Sequence, residues 1–398
     1  MFKNLIPKKY IWFIIVRFIS FFVIGMTTFF GPKIIGLEEY GKIEYELQMI
    51  GLSTIFLLGI HSGYGYQYYS KLKPSLSSFL SFGGIQALLI SIFLSIIMHQ
   101  DIYSYGILFF LLSVLLEQIY KINNHFNIAI LFKPIASVLL FAYYYIISII
   151  EPENIYSRQA INAIYFIAFI VFAIIYLKHH VLHDKKINFS NFLKNVKYGF
   201  EPNLTTSLII LFFFVDRYFI NKYFEDNLGV YSIAYNFSYL TFLFASSIGY
   251  VTTVKIGEKL QDPNALKLYM GKLYKIGFTL LIGSFIVMIP LIIFVSKYWF
   301  TEDNFTTTAI LNLISKTLFG ASSIFAPIIF YKKMERYQWV FLLLLTILLI
   351  IINSSLVNLV DVNFLQIQYT SNILLSIYSI YVYFLSLRII KKKIINTK

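Results

Sequence analysis

Twelve apolar runs of about 20 residues follow one another along this chain, each bounded by charge or turn residues, and a helix needs that length to cross a bilayer. They lie near 10–30, 45–65, 79–98, 102–120, 127–150, 160–177, 199–220, 229–251, 276–297, 306–331, 338–358 and 365–388. Of the 398 residues, 58% are hydrophobic and 13% are charged. Soluble domains carry about a quarter charged residues, so this chain lacks the polar coat that would keep it in water. The pattern predicts an all-α polytopic membrane protein with about 12 transmembrane helices. The second run is interrupted by Gly51, Gly59, Gly63 and Gly65, and it ends in the cluster Tyr64, Tyr66, Tyr68 and Tyr69. Such a cluster reads as an interfacial aromatic belt, with sugar stacking as the other use of the rings.

Basic residues set the orientation, because positively charged loops resist translocation and stay cytoplasmic. With the N-terminus inside, 24 of the 33 lysines and arginines fall on the cytoplasmic side, 5 fall outside and 4 lie within helices. Twelve acidic residues are outside and four inside. Both termini are therefore expected in the cytoplasm. The net charge of +14 alternates loop by loop instead of gathering on one soluble face. Retention signals and anionic-lipid contacts account for it, and nucleic acid is not an expected partner. The first run is too long for a cleavable signal peptide. With no cysteine, disulfides and thiolate metal sites are excluded.

No loop has the size of a domain. The longest polar connections, 178–197 and 255–275, carry no phosphate-binding glycine loop. The first of them leaves six runs on either side, which predicts an N-terminal six-helix lobe over 1–180, a cytoplasmic linker over 181–197 and a C-terminal six-helix lobe over 198–398. A weak internal repeat agrees: an offset of 188 aligns Tyr10 with Tyr198, Glu38 with Asp226 and Gly41 with Gly229. Parallel repeats of this kind place a substrate path between lobes.

Charges inside the runs are the candidates for function, because a mid-helix cation costs about 3 kcal/mol unless it faces a polar cavity or a partner. Arg17 lies about 10 Å, and Lys316 about 15 Å, into a core roughly 30 Å thick. Both suit the lining of a central cavity, or a structural pairing with Glu117, Asp216 or a backbone carbonyl. Asp216-Arg217 sits about one turn from the outer end of the seventh run. Lys133 is near enough to the cytoplasmic end of its helix to snorkel. Glu117 suits an i,i+4 pair with Lys121. Glu201-Pro202 fits a first helical turn. His179, His180 and His183 fall in a basic linker with no convergent carboxylates, so no metal site is expected.

The run Gly199-Phe200-Glu201-Pro202, followed by Leu204, Asp216-Arg217-Tyr218 and Leu228-Gly229-Val230-Tyr231-Ser232, resembles the polysaccharide-export branch of the multidrug/oligosaccharidyl-lipid/polysaccharide (MOP) exporter superfamily, the Wzx-type O-antigen flippases. Arg17 and the turn Gly36-Leu37-Glu38-Glu39-Tyr40-Gly41-Lys42 are similar to that family's first helix and its acidic turn. The resemblance implies a MATE-like, two-lobed transporter in the bacterial inner membrane. It would carry an undecaprenyl-pyrophosphate-linked oligosaccharide from the inner to the outer leaflet by alternating access, with a polysaccharide polymerase and chain-length machinery as partners. Under that reading Arg17 and Lys316 attract the pyrophosphate, while Asp216 and Arg217 tune the outer half of the chamber. No cofactor is implied, and the coupling ion, proton or sodium, stays open.

Three other classes are weighed against it. A MATE-type cation antiporter shares the architecture but needs an embedded acidic residue in each lobe, and helices one to three offer none at depth. A membrane polymerase or glycosyltransferase needs a large outer loop with catalytic groups, and the outer loops are short. A structural scaffold gives intramembrane cations no use.

Overall fold

The computed structural model describes residues 8–69, 72, 74–97, 103–123, 125–150, 158–179, 187–259, 262–359 and 362–395. The side chains of His179, His180 and His183, and the linker through residue 186, lie outside the described residues. So do several lysines that set the expected orientation, Lys3, Lys71, Lys73, Lys185, Lys186 and Lys398.

Each predicted run is helical, and no strand occurs among the described residues. The helices are α1 (Lys8–Ile35), α2 (Leu37–Leu52), α3 (Ile60–Tyr69), α4 (Leu76–Ile97), α5 (Tyr103–Ile122), α6 (Phe126–Ala129), α7 (Phe132–Ile150), α8 (Arg158–His179), α9 (Phe189–Tyr223), α10 (Leu228–Glu258), α11 (Pro263–Tyr298), α12 (Phe305–Ser323), α13 (Ala326–Tyr331), α14 (Glu335–Leu356) and α15 (Phe364–Ile395). By length and apolarity nine helices among the described residues can cross a membrane, or ten when the bent pair α2/α3 is one span. Of the twelve predicted runs, two fall short of that test. The apolar part of α8 is brief, Gln159–Ile175, and α12 interleaves Thr, Asn, Ser and Lys with its apolar residues.

Two reversals start the repeats alike. The helix α1 ends at Ile35 and α9 ends at Tyr223, which is 223 − 35 = 188 positions later. Gly36 makes the first reversal at φ +83, ψ 158, a conformation open in practice to glycine alone. The second helices then differ. Between α2 and α3 the chain passes through a 3₁₀ turn, Leu58 at φ 49 and Gly59 at φ 79, and bends by 57°, whereas α10 runs unbroken for 31 residues.

Three helices begin earlier than hydropathy indicates. The helix α2 starts at Leu37, so Glu44 and Glu46 are buried side chains two turns or more inside it, not residues of a turn. This overturns the expectation that the first helices hold no acidic residue at depth. The helix α9 starts at Phe189, because Phe189, Phe192, Leu193 and Val196 recur at helical spacing. Pro202 consequently lies deep within α9 rather than in its first turn, and it removes one backbone donor there. The helix α11 starts inside the polar 255–275 segment: Asp262 caps it by accepting from the backbone N–H groups of Asn264 and Ala265, both at 3.0 Å, with Pro263 next in line.

The chain forms two compact units, Ile19–Leu211 and the residues up to Phe18 together with Phe212–Lys398, so α1 and α9 each contribute to both. In the first unit α5 packs against α2, α3, α4 and α8. There the α3–α9 crossing is backbone against backbone: a Cβ on Gly63 would meet the Asn195 carbonyl oxygen at 1.7 Å. Gln67 donates to Asn195 nearby, and Tyr66 stacks on Tyr198 with ring centres 5.3 Å apart. Tyr64 is buried and stacks on Phe79, so of the expected aromatic belt Tyr68 alone is exposed among the described side chains. In the second unit α12 packs against α10, α11 and α15.

Candidate functional site

The helix α12 carries Thr308, Asn312, Ser315, Lys316, Thr317 and Ser322, all buried. Its neighbours satisfy much of that polarity. Ser315 donates to Asn372 on α15, and Thr317 donates to Thr241 on α10 at 3.2 Å. Ser238 on α10 donates to the Ala309 carbonyl at 2.7 Å. Small residues bring the helices close, since a Cβ on Gly320 would lie 2.9 Å from that of Ala245. A helix this polar is held in the membrane by interhelical bonds rather than by transfer energy.

Tyr231, Tyr235, Tyr239 and Phe242 form a ladder along one face of α10, because residues four apart share a face. Tyr235 stacks on Tyr239 at 5.7 Å and 18°, and Tyr239 packs on Phe242 at 4.9 Å. Cations meet this ladder from two other helices. Arg217 of α9 is the largest fully buried side chain among the described residues, 0% exposed; its Cζ stands 4.2 Å from the Tyr235 ring centre, and its Nη2 donates to Asn236 at 3.3 Å. Lys316 of α12 is 3% exposed, with Nζ 3.9 Å from the Phe213 ring centre and 4.1 Å from that of Tyr235. Arg17 on α1 belongs to the same compact unit as the ladder.

One carboxylate belongs to this group. Asp216, 3% exposed, accepts from the Tyr231 hydroxyl at 2.6 Å, the Ser371 hydroxyl at 3.0 Å and the Arg217 backbone N–H at 3.0 Å. It thereby ties α9, α10 and α15 together. Neither Asp216 nor Lys316 forms a salt bridge among the described residues. Two cations, Arg217 and Lys316, thus lie against the ladder, and among the described residues Asp216 is the carboxylate bonded to it.

The depth of Asp216-Arg217 is greater than the sequence indicates. The helix α9 continues to Tyr223, so the pair is about two turns, or about 10 Å, from its end. Arg17, Asp216, Arg217 and Lys316 belong to one unit, and Lys133 and Glu117 to the other. Lys133 is exposed. Glu117 pairs with Lys121 at 2.5 Å. Sequence reading missed Phe213, Tyr235, Tyr239 and Ser371; the four-residue spacing of the α10 tyrosines was the available signal.

In the other unit Glu44, 9% exposed, accepts from the Tyr40 hydroxyl at 3.1 Å. Lys42, two residues earlier, is engaged by Glu38 and Glu39 at 2.5 and 3.3 Å. The rings of Tyr40 and Tyr144, both fully buried, close over Gly31, where a Cβ would come within 3.3 and 3.2 Å of them. Among the described residues no group of three or more His, Cys, Asp or Glu side chains is placed to hold a metal ion.

No protein-family model matches this chain, and no curated protein matches it in sequence. Solved structures do match. A multidrug resistance MATE family transporter of the MOP superfamily in its inward-facing conformation superposes with a TM-score of 0.66 at 12% identity, over 95% of this chain and 99% of the other. A MOP superfamily transporter from Pyrococcus furiosus, reported for the reverse polarity of its binding pocket, gives 0.62 at 14% identity over 95% of both chains. The Vibrio cholerae MATE transporter VcmN in its bent form gives 0.56 at 10% identity, over 96% of this chain and 94% of its own. The chain has the all-helical fold of MATE-type transporters of the MOP superfamily, and identities this low speak to the fold alone.

Proposed function

We propose that this protein is a flippase that moves an undecaprenyl-pyrophosphate-linked oligosaccharide, an O-antigen or similar surface-polysaccharide unit, from the inner to the outer leaflet of the bacterial inner membrane. The observation that carries this reading is the pair of buried cations on the tyrosine ladder. Arg217 and Lys316 are buried against aromatic rings, and Asp216, the carboxylate bonded to the ladder among the described residues, is engaged by three neutral donors. A diphosphate cannot cross about 30 Å of hydrocarbon without compensating charge. A guanidinium offers it paired donors and an ammonium offers a point charge. The lipid tail remains in the membrane. Under this reading the lobes 1–180 and 198–398, joined by 181–197, work by alternating access with both termini cytoplasmic. Anionic lipids contact the basic loops, and a polymerase with its chain-length machinery receives the product.

Deleting the gene in its host and scoring lipid-linked glycan on the outer leaflet tests the proposal. Loss of display, restored by the intact gene, is expected; unchanged display overturns it.

Glu44 favours a second reading, a cation-coupled MATE-type antiporter. A buried carboxylate with a tyrosine hydroxyl as its donor is the kind of embedded acidic group such coupling uses. Proton or sodium coupling at Glu44 is compatible with either cargo.

A further inference from the structure

Lys316 occupies its place in an unusual way. Its ammonium stands 3.9 Å from the centre of Phe213 and 4.1 Å from that of Tyr235, and those rings meet at 79° with centres 6.2 Å apart. Two near-perpendicular walls around a cation make an aromatic cage, the arrangement proteins use to bind organic ammonium ligands. Phe319 extends one wall by meeting Phe213 edge to face at 5.5 Å. No carboxylate bonds Lys316 among the described residues, so ring faces do what an ion pair does elsewhere.

We propose that Lys316 is a tethered occupant of this cage and sets the charge preference of the site: it excludes organic cations and favours an anion. The clause on anions rests on the proposed function; the clause on cage occupancy does not. A tethered ammonium competes at a high effective concentration with any free cation. Arg217, on the Tyr235 ring at 4.2 Å, adds repulsion. Emptying the cage removes the competitor and leaves Phe213 and Tyr235 in place.

The test uses the full-length protein in nanodiscs with tetraethylammonium as probe, read by equilibrium binding. Lys316→Ser, a residue type that its helix already buries at Ser315 and Ser322, is expected to bind the probe about tenfold or more tightly than wild type, as one or two cation–π contacts permit. Lys316→Met keeps the cage filled by an uncharged stem and is expected to bind no better than wild type. Adding Phe213→Leu to Lys316→Ser is expected to abolish the gain. Equal binding by wild type and Lys316→Ser overturns the proposal, as does a gain that survives Phe213→Leu. If Lys316→Ser does not fold, ¹⁵N-lysine spectra of wild type and Lys316→Arg decide. A caged ammonium gives one ring-current-shifted resonance that Lys316→Arg removes, and its absence refutes the cage. Inorganic pyrophosphate is a separate arm: failure of wild type to bind it counts against the anion-carrying function and leaves cage occupancy to the tetraethylammonium result.

Discussion

A Cβ on Gly199 of α9 would stand 1.8 Å from the carbonyl oxygen of Gly59, at the bend between α2 and α3. The two helices cross with nothing between their backbones, and Asn203, one turn further on, donates to the Ile55 carbonyl at 3.4 Å. Gly199→Ala should therefore destabilise the protein by about 3 kcal/mol, since no flexible side chain is available to move aside. Gly271→Ala, where a Cβ meets nothing within 4 Å, is the control. Thermal unfolding in detergent compares them, and equal midpoints would contradict the backbone crossing.

Asp216 joins three helices through Tyr231 and Ser371. Tyr231→Phe and Ser371→Ala each remove one hydrogen bond to a carboxylate, a loss of about 1.5–3 kcal/mol apiece. Both act on the same carboxylate, so their effects should not add. A double-mutant cycle on unfolding measures this, and strict additivity would count against a shared acceptor.

Arg17→Ala, Arg217→Ala and Lys316→Ala should each reduce glycan display at least tenfold while the protein remains in the membrane at normal level. Lys133→Ala, which alters an exposed side chain outside the ladder, should leave display intact. Complementation of a deletion strain with matched immunoblots is the measurement. Full display in the three ladder variants refutes the cationic site.

Glu44→Gln should abolish the dependence of transport on an imposed proton or sodium gradient, and Glu117→Gln, whose residue pairs locally with Lys121, should not. Vesicle uptake with reversed gradients reads this directly. Gradient dependence that persists in Glu44→Gln removes Glu44 from coupling and weakens the antiporter reading.

Hydropathy and turn residues determine where the chain becomes helical, because the cost of placing a segment in hydrocarbon is additive along it. Ten of the twelve runs, with the bent pair α2/α3 taken as one span, and the reversal at Gly36 follow from that alone. So does the singling out of Arg17, Asp216, Arg217 and Lys316, since a charge among apolar residues stands out one position at a time. Only the tertiary structure decides what those charges face. Helix rotation brings Phe213, Tyr235 and Lys316 together from three separate helices, and no local pattern encodes that convergence. Helix ends escape for a related reason. Glu44, Phe189 and Asp262 stand in polar stretches that hydropathy reads as loops, yet capping, amphipathic spacing and neighbouring helices keep those stretches helical. The polar α12 is the limiting case: its groups look costly in isolation and become admissible only because α10 and α15 supply their partners.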